Sequence, residues 1–280
     1  GLEIPKTWDE FITLCQTIKD KGDMSPLVVG GSDVWHIGFL YDLCYANDVL
    51  ESDPDFIEEC YKGEKDFSDA NYQKAVTDLA EVLSFAQDGW ASTPDAQITT
   101  FFVNDMSAMM FSGTHMFSQI NDAAPDFEYG WFAVPDRDGK VNLLGGGTAG
   151  GWALSAEAAK DPDKQAAFDA FCKYFFSSDV YGAYCEAMAA IPTTVETPKM
   201  NTSEQFKSVL DALSAADYTH LMWNQEVGNR ELPPDFRNFT YKTCIEVAQG
   251  SRDVASASSE LQKTWNVALQ SFNPTTGLRS

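Results

Sequence analysis

A helix-rich α/β fold is the prediction, and three features of the sequence carry it. Apolar residues recur with a helical period through most of the 280 residues. Apolar runs that read as strands are few and short. The segment Phe101–Ile120, FFVNDMSAMMFSGTHMFSQI, then reads as short helix, tight turn, buried strand, glycine break and second helix. That order builds a wall of main-chain amides and aromatic side chains with no catalytic signature in it. Such a wall suits holding a solute more than transforming one.

Taken in order, Thr7-Trp8-Asp9-Glu10 is a capping box, in which the Thr7 hydroxyl caps a helix and Glu10 reaches back to the Thr7 amide. Phe11, Leu14, Cys15 and Ile18 mark one face of that helix, and Gly22 ends it. Pro26-Leu27-Val28-Val29 is a short buried strand running into Gly30-Gly31, and Trp35 to Tyr45 is a helix. Ser68-Asp69 opens a longer helix that buries Ala75, Leu79, Val82, Leu83 and Ala86 and ends near Gly89. After Phe101–Ile120 the sequence predicts strand Tyr129–Val134, a turn at Asp136-Arg137-Asp138-Gly139 and strand Thr148–Ser155.

Asp161-Pro162 starts a helix with Ala166, Ala167, Ala170, Phe171 and Tyr174 on one side. A second helix runs from Asp179 to about Met188, and Ile191-Pro192 makes an extended break. Helix Glu204–Leu213, an extended Tyr218–Trp223, helix Asp235–Ala248 and helix Val254–Ser271 complete the chain. Neither an internal repeat nor a low-complexity linker interrupts it.

Composition narrows the functional classes. The length suffices for one large domain or two smaller lobes. No run approaches the roughly 18 apolar residues of a membrane-crossing helix. Nineteen Lys and Arg stand against 42 Asp and Glu, a formal charge of −23. That field repels nucleic acid and anionic lipid, so neither is an expected partner, and it is compatible with an extracytoplasmic bacterial protein. An opening at Gly1, with no methionine, signal sequence or lipid-attachment cysteine, is expected of a processed or trimmed chain.

Of six cysteines, Cys15, Cys44, Cys172 and Cys244 fall on apolar helical positions, where a thiol acts as a small hydrophobe. Cys60 and Cys185 leave room for one disulfide, but mostly free, buried thiols are expected. No pair has C-x-x-C spacing.

Pro5-Lys6-Thr7-Trp8-Asp9-Glu10-Phe11, Phe102 followed by Ala108-Met109 and Gly113, Tyr129-Gly130 with Pro135, and Gly150–Ser155 occur in this order. Together, across nearly the whole chain, they resemble the extracellular solute-binding proteins of carbohydrate ABC importers, the family that includes maltose-binding protein. The resemblance implies a two-lobed, periplasmic-binding-protein-like (Venus flytrap) fold whose chain crosses the hinge more than once. A sugar lies between the lobes, and closure presents the loaded receptor to a membrane permease. In that family the PxTWDE motif lies well inside the protein, whereas here it starts at residue 5. The chain therefore resembles a C-terminal portion: residues 1–144 and 218–280 as the second lobe, and 145–217 as a remnant of the first with the hinge crossings. The resemblance further implies a monomer without cofactor, tethered outside the cell as a bacterial lipoprotein.

Sugar rings offer weakly apolar faces edged by hydroxyls, so a site needs flat aromatics and fixed donors and acceptors. Gly30-Gly31-Ser32-Asp33-Val34-Trp35-His36 has that mixture at a loop-to-helix junction. Asp33 can accept from a pair of hydroxyls, with Ser32 beside it, and Trp35 can offer a stacking face. The competing reading makes Asp33 or Ser32 a helix cap and Trp35 a core residue. In Ser112-Gly113-Thr114-His115 the turn enters a helix whose free amides point outwards. The resemblance implies an aromatic platform here, and His115 occupies the matching position.

Gly146 and Gly147, within Gly145-Gly146-Gly147-Thr148, allow a ligand to approach bare backbone or simply form a flexible connector. Trp223-Asn224-Gln225-Glu226 puts an aromatic beside two amides and a carboxylate, chemistry that serves a sugar site or hinge packing equally. The resemblance adds Arg237 and Tyr241, one helical turn apart. Trp8, Trp90, Trp131 and Trp265 are assigned to packing, and Trp152 reads as a strand residue in the core.

Enzyme readings have less behind them. His36, His115 and His220 lack metal-site spacing, so no metal is expected, and there is no G-x-S-x-G elbow. A glycosidase needs two opposed carboxylates, and 42 acids guarantee chance pairs. The expected function is therefore a receptor for a small solute, in first place a saccharide, with a permease as partner. A peptide or polyamine receptor and a surface interaction module are the alternatives.

Overall fold

The structure is a computed structural model that describes residues 1–144, 151–194, 196, 198–272 and 274. Its elements begin with α1 (Trp8–Lys21), β1 (Ser25–Val28), α2 (Val34–Tyr45), α3 (Phe56–Lys62) and α4 (Ala70–Leu83). Then come α5 (Ile98–Val103), β2 (Ser107–Met110), α6 (Met116–Ala123), β3 (Asn142–Leu144), α7 (Pro162–Phe175) and α8 (Ser178–Met188). The last are α9 (Glu204–Ala215), β4 (Tyr218–His220), α10 (Phe236–Ala248) and α11 (Val254–Ala268). They fall into two compact units: Gly1–Ser112 with Phe132–Gly147 and Ala215–Ser280, and Gly113–Trp131 with Thr148–Ser214.

In the first unit α2 is the central element. Ile37, Leu40, Tyr41, Leu43, Cys44 and Tyr45 are all buried, so the helix is covered nearly all round, as its apolar sequence requires. It packs against α4 and α10, and α11 lies on α10. Strands β1 and β2 pair in parallel, Ser25 opposite Ser107 and Leu27 opposite Met109. Strands β3 and β4 form a second parallel pair, with Asn142 opposite Tyr218.

Local signals explain the helix ends. The Thr7 hydroxyl accepts from the Glu10 amide at 3.2 Å, and Gly22 ends α1. The Glu10 carboxylate reaches past Thr7, however, and accepts from the Lys6 amide at 2.7 Å. Asp69 caps α4 by accepting from the Asn71 and Tyr72 amides. A four-residue turn closes through Asp136, whose carboxylate accepts from the Asp138 and Lys140 amides at 2.9 and 2.8 Å.

An ion cluster fastens that turn to the helices. Arg137 donates to Asp78 at 2.7 Å and Asp48 at 3.3 Å, and stands 5.6 Å over the Trp8 ring. Lys74 bonds both carboxylates as well, at 3.1 Å for Asp78. Burial, partly offset by Lys74, pushes the Asp48 carboxyl up to about 6. At Asp78 burial acts the same way, but Arg137 and Lys74 outweigh it and the carboxyl lies below its ordinary value.

Three expectations need correction. Helix α4 stops at Leu83 rather than near Gly89, because Phe85 to Gln87 runs alongside β1. There the Leu27 amide donates to the Phe85 carbonyl at 3.2 Å and the Gln87 amide to the Leu27 carbonyl at 3.1 Å. Tyr129–Val134 is irregular rather than a strand, and residues 151–155 form none either. Alternation defines a strand only where a neighbour completes the hydrogen-bond ladder, and neither segment has one among the described residues. Trp152, expected in the core, is 54 % exposed.

The second unit is built differently. A small cluster of Phe117, Ala189, Phe206 and Val209 forms its buried centre. Asp161 caps α7, accepting from the Asp163 and Lys164 amides, yet no residue of α7 is buried. Its apolar side, with Phe171 and Tyr174, stays exposed, as do Phe176, Tyr184 and Met188. Rings of this side contact one another: Trp152 lies 5.0 Å from Phe171 and 5.4 Å from Phe175, edge to face.

All six cysteines are free thiols, and Cys172 is half-buried where a buried position was expected.

Candidate functional site

The loop before α2 is held by hydrogen bonds on both sides. The Gln87 amide side chain accepts from the Val29 N–H at 2.9 Å and donates to the Val29 carbonyl at 2.9 Å. The Gly31 amide donates to the Trp90 carbonyl at 2.9 Å and the Ser32 amide to the Thr93 carbonyl at 3.1 Å. Glycine is required at Gly30, because a Cβ there would sit 2.7 Å from the Asp95 Cα. The two segments thus lie backbone against backbone.

On this loop Ser32 is exposed and Trp35 is 44 % exposed, so both face outwards. The Trp35 ring meets His36 and Phe39 only edge-on, each with centroids 5.9 Å away. Asp33 occupies the N-cap position of α2 but makes no capping bond with its side chain. Its carboxylate instead accepts from the Asp95 amide at 2.7 Å. Behind it His36, fully buried, donates from Nδ1 to the Asp95 carboxylate at 2.7 Å.

Helix α2 carries the geometry inwards. Residues 35, 38 and 42 share a face, about 10 Å from first to last along the axis. At the middle position the Tyr241 hydroxyl packs so close to Gly38 that a Cβ would lie 2.7 Å from it. At the inner position the buried Asp42 carboxylate accepts from the Trp223 amide at 3.2 Å. Trp223 itself is only 1 % exposed, with its ring edge-on to Tyr41 and Tyr45 at 5.4 and 4.8 Å. Tyr241 is buried against Tyr41, centroids 5.5 Å apart. Trp223 and Tyr241 therefore share one aromatic cluster, and both ring faces are covered.

Electrostatics at the inner end follow from burial. Desolvation pushes the Asp42 carboxyl well above the carboxylate range; the Trp223 amide and the Arg237 charge pull it down, and Glu226 adds to the rise. Glu226 is also raised by burial, with Arg230 opposing, 3.1 Å away. Arg237, half-buried in the first turn of α10, donates to the Asn238 side chain at 3.2 Å.

The remaining candidates lie elsewhere. Gly113 and His115 belong to the second unit, half-buried at the entry to α6. Gly146 and Gly147 fall outside the described residues. Among the described residues no group of three or more His, Cys, Asp and Glu side chains is arranged to hold a metal. An open groove of 610 Å³ lies between residues 60–69 and Gln262, Asn266 and Leu269. Its two lysines are paired, Lys65 with Asp69 at 3.2 Å and Lys62 with neighbouring Glu58 at 2.8 Å.

Sequence reasoning missed Asp42, His36, Asp95 and Gln87. One signal for Asp42 was available: it is the sole acid within the apolar helix VWHIGFLYDLCY. An ionisable residue on a buried helix needs a partner, and the Trp223 amide is that partner.

The family model of bacterial extracellular solute-binding proteins matches residues 2–209. A multiple sugar-binding protein of Streptococcus mutans is 28% identical over 274 residues, covering 91% of this chain and 59% of that protein. A chitin oligosaccharide binding protein superposes with a TM-score of 0.77 at 20% identity, over 95% of this chain and 65% of that one. The solute-binding protein RafE in complex with raffinose gives 0.72 at 19%, over 96% and 67%. At such identities the two structures establish a shared fold, a helix-rich α/β periplasmic solute-binding architecture. The chain spans about three fifths of the length of the curated relative. With the family model matched over most of its length, this chain belongs to the bacterial extracellular solute-binding proteins.

Proposed function

We propose that this chain is the C-terminal portion of an extracytoplasmic receptor that delivers a sugar or oligosaccharide to an ABC importer. The observation that carries the reading is the half-open Trp35 ring two residues along the chain from Asp33, whose carboxylate is fixed by the Asp95 amide, on a loop fastened by backbone hydrogen bonds. A flat apolar face next to a fixed acceptor is what a pyranose ring with its hydroxyl edge requires. The relatives, a multiple sugar-binding protein, a chitin oligosaccharide binding protein and a solute-binding protein in complex with raffinose, support a saccharide.

In this reading residues 1–144 and 218–280 form the second lobe and 145–217 part of the first, with Gly113–Trp131 packed in the same unit as the latter. The uncovered aromatic side of α7 and α8 supports it, since part of a lobe exposes surface that the whole lobe buries. Ser32, Asp33 and Trp35 are the candidate sugar contacts of the first unit and Gly113 and His115 those of the second, with Gly146 and Gly147 completing the proposed set. Arg237 lies near the inner end, while Trp223 and Tyr241 pack on α2 at Asp42 and Gly38.

Binding closes the lobes, and the permease distinguishes the closed form from the open one. The receptor acts as a monomer, without chemistry or cofactor, tethered as a lipoprotein. Tryptophan fluorescence titration of the full-length protein against saccharides, peptides and polyamines tests this. A saturable shift with one saccharide series and no hydrolysis is expected; a response to peptides or polyamines alone would overturn the sugar assignment.

A further inference from the structure

Asp33, Asp95 and His36 form one chain of contacts between segments about sixty positions apart in sequence. The Asp33 carboxylate holds the Asp95 amide at 2.7 Å, and the Asp95 carboxylate holds His36 Nδ1 at 2.7 Å. Trp35 lies in sequence between the two residues so fastened. Its aromatic contacts, with His36 and Phe39, are edge-on. The orientation of this half-exposed ring therefore depends on where the His36 backbone and ring are held.

His36 is held at one end only. Its Nε2 is buried and has no hydrogen-bond partner among the described residues. Asp95 is thus the single polar anchor of the His36 ring. On the other side the Gly30 backbone lies too close to Asp95 for any side chain, so the 95 segment cannot drift away without the loop following.

We infer that Asp95 and His36 are positioning residues for solute binding, holding Trp35 and the Asp33 carboxylate in the fixed relation that a sugar ring meets. The inference rests on the saccharide reading for its function, but its geometric half stands without a ligand. An aromatic platform ordered before binding loses less conformational freedom when the sugar docks. Releasing it should weaken binding about threefold to tenfold, the loss expected when one side chain must be ordered on binding.

The test uses the full-length protein labelled with 5-fluorotryptophan, the Trp35 resonance being assigned through Trp35→Phe. Raffinose and chitin oligosaccharides are the probes. In Asp95→Ala and in His36→Gln the Trp35 fluorine resonance should shift or broaden. The resonances of buried Trp8 and Trp265 should stay in place, and sugar affinity should fall by the stated factor. Asp95→Asn, whose amide oxygen still accepts from His36 Nδ1, should restore both resonance and affinity.

An unmoved Trp35 resonance in both variants overturns the inference, as does a shift of all tryptophan resonances together, which marks a merely structural role. If the wild type binds no sugar while Trp35 still responds to Asp95→Ala, positioning stands and the saccharide reading falls.

Discussion

Replacing Asp42 with asparagine separates what its oxygen does from what its charge does. The side chain is 1 % exposed, and Oδ1 accepts from the Trp223 amide at 3.2 Å. Asparagine keeps that acceptor at nearly the same volume, so the bond survives and only the ionisation is lost. Burial raises the carboxyl well above its ordinary value of 3.8 in the folded state. Between 3.8 and the folded value the folded protein therefore retains a proton that the unfolded chain has released. Stability from this group is complete below the lower value and declines as pH rises through the window. The slope for one proton is about 1.4 kcal/mol per pH unit.

Urea unfolding of wild type and Asp42→Asn across pH 4 to 8 should consequently show the wild type losing ground to the variant at about that slope, until the carboxyl ionises in the folded state. Asp42→Ala should lie below Asp42→Asn at every pH by about 1–3 kcal/mol, because the buried Trp223 amide is left without an acceptor. Parallel pH curves for wild type and Asp42→Asn would refute the argument, since they would mean that the carboxyl ionises as readily in the fold as outside it.

Three further outcomes follow from the same geometry. Gly30→Ala places a Cβ 2.7 Å from the Asp95 backbone and should lower stability by about 1–3 kcal/mol in thermal unfolding; an unchanged midpoint would show that the two segments are not in contact. Arg137→Ala removes the bonds to Asp78 and Asp48 and the Trp8 contact, and should cost about 1–2 kcal/mol, shrinking in high salt; an equal loss with and without salt would refute the ionic account. Trp35→Ala should leave the unfolding midpoint within about 0.5 kcal/mol of wild type while abolishing the saccharide fluorescence response; a retained response would remove Trp35 from the site.

Local chemistry was legible in the sequence wherever a residue's partner lies within a few positions of it. The Thr7 cap, the stop at Gly22, the caps at Asp69 and Asp161 and the helix–turn–strand–helix order of 101–120 all belong to this class. What stayed hidden depends on partners far along the chain. Asp33 has the composition of a helix cap, but its carboxylate is claimed by an amide 62 residues away. Asp42 finds its partner 181 residues on, and no spacing rule reaches so far. Tyr129–Val134 has the apolar character of a strand and lacks only the neighbour, which its own residues do not specify. Trp223 reads as an open aromatic beside polar groups, yet Tyr41 and Tyr45, from another helix, enclose it.

The most direct measurement of the central claim is hydrogen–deuterium exchange of the full-length protein with and without a panel of raffinose-type and chitin-type oligosaccharides. A saccharide lying against Trp35 should slow exchange in residues 30–37 and in the segment around Asp95, and leave the polar groove at residues 60–69 unchanged. Protection confined to the groove, or none with any saccharide at saturating concentration, would contradict a sugar receptor built on this loop.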